Sequence, residues 1–443
     1  MTGLQEVLLR ARRLVVPGRE EEERLGRVAE KVLGKVEAAS LPFPQVTGVL
    51  LGGSFAKQTW LPGGEGTTDV DVFVKISPEV DGATFESIGL KVGREASRGY
   101  RHGKKYAQHP YTEAEVDGVR VNIVPCFDVR PGEWKSAADR SPFHVKLVEK
   151  LPAESKRQVR LLKLFMHGVG VYGAEIQVQG FSGYAAEVLV IKHGTFESVL
   201  RWFASYGPIR EGRAFFLPDP VDEERDLGIA VSGLSLGRMV LASRGFLKRP
   251  DLAYFQRMSG KAHPSLKKDV VAVVFSHKRL SEDTLWGELR KTSRHIVRHL
   301  EVNGFVQARC MAASNNEDMS AILLIPEVTN LPASEQRLGP TVDRRKDVQA
   351  FINSNSKDSR LVWVDDDARV RLLRPRKHLE LAGLLTDVVK GRAGPIGASK
   401  EVEQGMKRSA RVLKGTSLTR AAESSKWLQD GIREITTDAV GTR

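Results

Sequence analysis

Cysteine is nearly missing from this chain: two thiols, Cys126 and Cys310, stand among 443 residues. Two cannot build a disulfide framework or a four-thiolate zinc site. Long apolar runs are missing as well. No stretch approaches the ~20 consecutive apolar residues of a membrane-spanning helix, so no membrane association is expected. The opening residues lack a secretory-signal pattern and turn acidic at Glu20 to Glu23; a cytoplasmic location is the expectation. Neither an internal repeat nor an extended low-complexity tract is present.

What the chain has in excess is positive charge. Lys and Arg number 68 against 55 Asp and Glu, a net +13. A basic surface attracts polyanions, although it also serves solubility, so charge alone nominates nucleic acid without identifying it. At roughly 100–200 residues per domain, the length implies two to four domains.

The pattern along the chain divides it in three. Arg19 to Ala39 reads as a helix, with Leu25, Val28, Val32, Leu33 and Val36 at helical spacing. Val46 to Leu51 reads as a strand, and Asp69 to Lys75 alternates with period two. Val116 to Val124 reads as a hairpin through an Asp117-Gly118 turn. Residues 1–145 are therefore expected to form a small α/β domain. Past Pro152 the period becomes helical: Glu154 to His167 and Ala185 to Phe203 read as helices, and residues 146–262 as a mainly helical domain. Over 263–443, strand-like runs (Val270 to Phe275, Ala321 to Pro326, Leu361 to Val364) mix with helices (Leu285 to Asn303, Arg344 to Ser354). The basic stretch after about Val388 reads as a mobile appendage. The fold class is α+β, multi-domain.

The chemistry concentrates between Leu51 and Lys75. A strand runs into Gly52-Gly53-Ser54, then a polar turn, then a second strand bearing Asp69 and Asp71. Glycines let backbone N–H groups approach a phosphate, and Ser54 at a helix start adds a hydroxyl where the dipole favours an anion. On a strand, i and i+2 share a face, so both carboxylates project together. Hard oxygen ligands beside a triphosphate suit Mg²⁺. A lone Asp-x-Asp is usually a solvated face, and a lone Gly-Gly-Ser usually a turn; their order and spacing together point to catalysis.

Gly53-Ser54 followed by Asp69-x-Asp71 resembles the DNA polymerase beta nucleotidyltransferase superfamily. The flanking text resembles its archaeal-type (class I) CCA-adding branch. The likeness runs through TWLP at Thr59 to Pro62, YAQHPY at Tyr106 to Tyr111, VPC at Val124 to Cys126 and DRSPFH at Asp139 to His144. It continues through RLLK at Arg160 to Lys163, VYGAE at Val171 to Glu175, GFSGY at Gly180 to Tyr184, DPVD at Asp219 to Asp222, Arg225, and Leu338-Gly-Pro340. The resemblance implies a polymerase-beta-like head, a helical nucleotide-pocket domain and an α/β RNA-binding body with a tail. It implies ordered addition of C, C and A to a tRNA 3′ end from CTP and ATP with Mg²⁺. Asp69 and Asp71 would hold the metal. Gly53, Ser54, Lys57, His144, Lys163, Tyr172, Asp219 and Arg225 would bind nucleotide. Without the family, Lys163 and Tyr172 would read as helix-end residues, and His109 and His144 as ordinary satisfied histidines. A homodimer is left open.

One position departs from the pattern. The superfamily's third catalytic carboxylate lies just before Val-Pro-Cys, and here that residue is Asn122. Period two still aims it at the metal centre, but an amide is neutral and accepts no proton. An engineered trap, a slow natural enzyme, or substitution by Asp117, Glu115 or Asp128 would each fit. Basic clusters (Arg369, Arg371, Arg374, Arg376 and Lys377, then Lys407, Arg408, Arg411, Lys414 and Arg420) are the candidate grip on the acceptor stem and TΨC side of tRNA. Two other functions share these features: a poly(A) polymerase-like RNA adenylyltransferase, and a catalytically weak tRNA-binding protein.

Overall fold

The computed structural model describes residues 3–63, 68–106, 108–207, 215–256, 263–355, 357–394 and 396–438. Contacts divide them into two compact units, one within residues 1–258 and one spanning 259–438.

The first unit opens with α1 (Gly3–Leu14) and α2 (Arg19–Ser40), followed by β1 (Val46–Gly52), the single turn α3 (Gly53–Ala56) and β2 (Val70–Ile76). Then come α4 (Gly82–Ala96), β3 (Arg101–Tyr106), β4 (Pro110–Val116) and β5 (Val119–Phe127). The strands form one sheet in the order β1-β2-β5-β4-β3, antiparallel except for the central β2–β5 pair. Alternation decides which face is buried. Val70, Val72, Val74, Val121 and Ile123 pack against α2 and α4, leaving Asp71 and Asn122 on the opposite face. The expected hairpin turn is formed by Asp117 and Gly118, both at positive φ (51° and 73°), the combination a tight two-residue turn demands.

The same unit continues through α5 (Ser141–Glu149), α6 (Ala153–Gly168), α7 (Gly183–His193), α8 (Phe196–Ala204), the hairpin β6 (Pro218–Asp219) and β7 (Asp222–Asp226), and α9 (Gly233–Lys248). Its aromatic-rich core gathers Phe165, Phe196 and Phe246 and also receives Ala11 of α1. The single helix expected over Ala185 to Phe203 is in fact two. Gly194 ends α7 at φ 86°, and the Thr195 side chain caps α8 by accepting from the Ser198 backbone N–H. Apolar periodicity runs across this break, which hides it.

The second unit contains β8 (Val271–Ser276), α10 (Glu282–Val302), β9 (Gln307–Ser314), β10 (Met319–Pro326), β11 (Ser334–Thr341), α11 (Arg345–Asn355), β12 (Leu361–Val364) and β13 (Arg369–Pro375). It ends with α12 (Leu381–Val389), α13 (Lys400–Ser409), β14 (Arg411–Lys414), α14 (Gly415–Glu423) and α15 (Lys426–Ile435). The mobile appendage expected after Val388 is not one. β14 pairs with β8 at the edge of the sheet β14-β8-β10-β9, and Leu413, Leu418, Leu428 and Ile432 complete the core beneath it. Among the described residues, no helix is long and apolar enough to cross a membrane.

Candidate active site

The site begins where β1 ends. Gly53 sits at φ 63°, and a Cβ there would lie 1.8 Å from Asp71 Oδ2, so only glycine allows the Asp71 carboxylate to lie over this turn. α3 is four residues long. Its dipole is therefore small, and the phosphate cradle expected at Ser54 consists of backbone N–H groups and a hydroxyl.

Register sets the acids. Asp71 pairs with Gly52 on one side and with Asn122 on the other, and Asn122 Nδ2 donates to Asp71 Oδ1 at 2.9 Å. Asn122 Oδ1 is buried with no hydrogen-bond partner. Asp69 lies 3.8 Å from Arg120 Nε. Burial raises the pKa of both acids, that of Asp71 to about 6, although the Asn122 amide opposes the rise. The donor set is two carboxylates and an orphaned amide oxygen, all hard ligands, and it fits an oxygen-seeking divalent cation. Among the described residues no three His, Cys, Asp or Glu converge as they would around an ion.

Three alternative acids are removed by geometry. Asp117 lies at the hairpin turn, 2.9 Å from Lys31 Nζ. Asp128 is paired with Lys75 and accepts from Thr47. Glu115 is exposed and stands opposite Arg120.

Lys57 joins these acids to a second wall. Its buried ammonium lies 2.6 Å from Glu187 Oε2 and 5.4 Å from the centre of the Tyr184 ring. Lys163 Nζ donates to Thr59 O (3.1 Å), Thr59 Oγ1 (3.0 Å) and Glu187 Oε1 (2.8 Å). All three of its N–H bonds are used, so the ammonium is enclosed rather than offered to a ligand. Tyr172 is beside it. Its hydroxyl lies 2.9 Å, and Lys163 Nζ 3.5 Å, from where a Cβ on Gly183 would stand. Sequence patterning missed Glu187, because an acid within Ala-Ala-Glu-Val-Leu-Val looks like one polar residue on a buried helix.

Glu187 is fully buried between two lysines. Burial alone would raise its pKa, but Lys163 and then Lys57 bring it down to about 2. The folded value is below the reference 4.5, so its stabilisation is present above that pH and is lost as pH falls toward 2. Glu187→Gln leaves two buried ammonium groups underpaired and is expected to cost about 3–5 kcal/mol, read as a lower urea midpoint at pH 7.

Asp219, fully buried, organises the third cluster. It accepts from Tyr184 Oη (2.9 Å), Val221 N–H (2.9 Å) and Arg225 Nη1 (3.3 Å), and lies 2.9 Å from His144 Nε2. His144 and Tyr184 stack at 3.7 Å. Burial lowers the His144 pKa, with Asp219 opposing. Beside this cluster is a polar cleft of about 700 Å³ lined by Trp134, Arg140, Asp222 and Arg225, among others, a volume in the range of small-molecule sites. The structure thus brings His144, Asp219 and Arg225 together and joins Lys57, Lys163 and Tyr172 in the adjoining wall. His109, by contrast, packs on Phe85 and faces Glu86 at 3.4 Å.

Three family profiles match the chain in succession: a nucleotidyltransferase domain over residues 30–144, the second domain of tRNA nucleotidyltransferase over 157–256, and the C-terminal domain of CCA-adding enzyme over 268–415. Similar full-length proteins bear the name CCA-adding enzyme. That of Pyrobaculum islandicum is 37% identical, covering 87% of this chain and 93% of its own. That of Methanopyrus kandleri is 32% identical, covering 98% and 97%. That of Pyrobaculum neutrophilum is 38% identical, covering 77% and 83%.

Proposed function

Since the chain belongs to the CCA-adding enzyme family and adds C, C and A to tRNA 3′ ends, we propose that Asp69 and Asp71 hold Mg²⁺ for that reaction, with Asn122 in the third position. Nucleotidyltransferases use a divalent metal. When bound, it neutralises charge on the triphosphate and lowers the barrier to attack. The RNA 3′-hydroxyl attacks the α-phosphorus, a P–O bond forms, and the bond to the leaving pyrophosphate breaks. The Gly52–Ser54 turn and Ser54 Oγ bind the triphosphate. Lys57 supplies positive charge from below, fixed by Glu187. Lys163 and Tyr172 shape the sugar side, and Lys163 acts from within its Thr59–Glu187 enclosure. Asp219 fixes His144 and Arg225 at the cleft, where the Arg225 guanidinium reads the base edge of CTP or ATP. The observation that carries this assignment is the Asp71 carboxylate lying over the Gly53 turn.

The experiment is nucleotide addition to defined tRNA ends. A tRNA one nucleotide short is expected to accept a single A, and one lacking all three to accept two C and then stop until ATP is given. Untemplated runs of A would favour an adenylyltransferase. Absence of pyrophosphate release with either Mg²⁺ or Mn²⁺ would leave a binding protein.

The second unit is assigned the acceptor-stem and TΨC side of tRNA, read by shape and backbone. Its basic residues are not equivalent. Arg371 pairs with Asp365, and Arg374 and Arg376 pair with Glu335, so their charge is largely committed. Lys407, Arg408, Arg411, Lys414 and Arg420 are exposed, and of these Lys407 lies 2.6 Å from Glu403 Oε1. If these five meet phosphates, log affinity falls with log salt at a slope of about −4, on the order of a hundredfold between 50 and 200 mM. Arg411→Ala with Lys414→Ala is expected to flatten that slope by about 2, measured by filter binding.

A further inference from the structure

Position 122 is not the only place on this sheet from which a third acid can come. Asn122 is the cross-strand partner of Asp71 on one side and of Glu113 on the other. Asp71, Asn122 and Glu113 therefore stand in one row across β2, β5 and β4, and their side chains share the open face. Strands are about 4.8 Å apart, so Glu113 starts about one spacing beyond the position the family uses. It also carries one more methylene than aspartate. We propose that Glu113 supplies the third carboxylate of the metal centre, leaning inward over Asn122 when the cation binds. The inference rests on the nucleotidyl-transfer assignment of Asp69 and Asp71.

Three observations support it. Asn122 presents a buried, unpartnered Oδ1 within this row, an oxygen donor that brings no charge, so the missing negative charge has to come from a neighbour. Asp117, Asp128 and Glu115 are each held or aimed elsewhere, and Glu113 is the acid left beside Asn122. Its present tie is weak: Lys105 Nζ is 3.4 Å from Glu113 Oε1, with the two side chains 54% and 30% exposed, a pair that water screens and a divalent cation displaces. Glu113 is turned toward Lys105 here and swings inward when the cation binds. Arg120, on the same face and 3.8 Å from Asp69, is the cation that an incoming metal displaces.

The test uses the full chain and Mn²⁺ as the probe, titrated by electron paramagnetic resonance, alongside single-turnover CMP incorporation. Wild type, Glu113→Gln, Asn122→Asp and the double variant are compared. Glu113→Gln is expected to weaken Mn²⁺ binding about tenfold and slow incorporation about a hundredfold. In the Asn122→Asp background, which restores an acid on β5, both losses are expected to shrink below about threefold. Lys105→Ala, which frees Glu113, is expected to tighten Mn²⁺ binding. Unchanged Mn²⁺ affinity in Glu113→Gln, or equal losses in the two backgrounds, overturns the assignment. If neither wild type nor Asn122→Asp adds any nucleotide, the functional assignment fails instead, and the Mn²⁺ titration still judges Glu113.

Discussion

Asp71→Asn is expected to slow single-turnover CMP incorporation by about a thousandfold or more while leaving the protein as stable as before, or more stable. The two halves of this expectation come from one fact. Asp71 is half-buried over the Gly53 turn, and the loss of solvation there raises its pKa to about 6. A carboxyl whose folded pKa exceeds its unfolded value weakens the fold wherever it is ionised, which includes neutral pH. Replacing it with a neutral amide of the same shape removes that cost, and the contact with Asn122 can persist through a flipped amide. A residue kept for architecture would show the opposite, because altering it would lower the melting temperature. A residue whose charge is retained at the expense of stability is marked as functional. Melting curves at pH 7.5 beside rapid-quench incorporation measure both quantities. Lost activity together with a large drop in melting temperature would place Asp71 among structural residues.

The parts of this molecule legible in the sequence are those encoded by neighbours in the chain. Alternation along Asp69 to Lys75 identified a strand and its open face, and Asp117-Gly118 identified its own turn. Gly53, Asp69 and Asp71 are near enough in sequence to reveal a site by spacing. The parts that escaped depend on distant partners. Glu187 is meaningful only because Lys57, Thr59 and Lys163 arrive from other elements. Arg369 to Arg376 looked like a basic patch, but Arg369–Pro375 is a strand, with Val370 and Leu372 buried and Arg371 and Arg374 engaged by acids. The C-terminal segment looked like an appendage because its charge dominates its composition. Its sparse apolar residues nevertheless fall at helical spacing, and β14 closes the edge of a sheet begun some 140 residues earlier. The role proposed for Glu113 was equally hidden, since it depends on strand register.

Asn122→Asp is expected to move activity in the other direction, raising the rate of incorporation about ten- to a hundredfold with little change in CTP affinity. β5 is paired on both sides at this residue, so an aspartate there is held where the amide stands. The substitution brings full negative charge to the centre from the nearest strand, in place of the longer reach from Glu113. Its cost appears without metal. Asn122 Nδ2 now donates to Asp71, and aspartate replaces that bond with like-charge repulsion in a partly buried site. The metal-free variant should therefore melt below wild type, and added Mg²⁺ should raise its melting temperature by more than it raises that of wild type. The rate gain and the larger Mg²⁺-dependent shift arise from the same added charge and must appear together. A faster enzyme with an unchanged metal response would trace the gain to another source. A variant with the larger shift but no gain in rate would show that the wild-type centre already holds its full complement of charge.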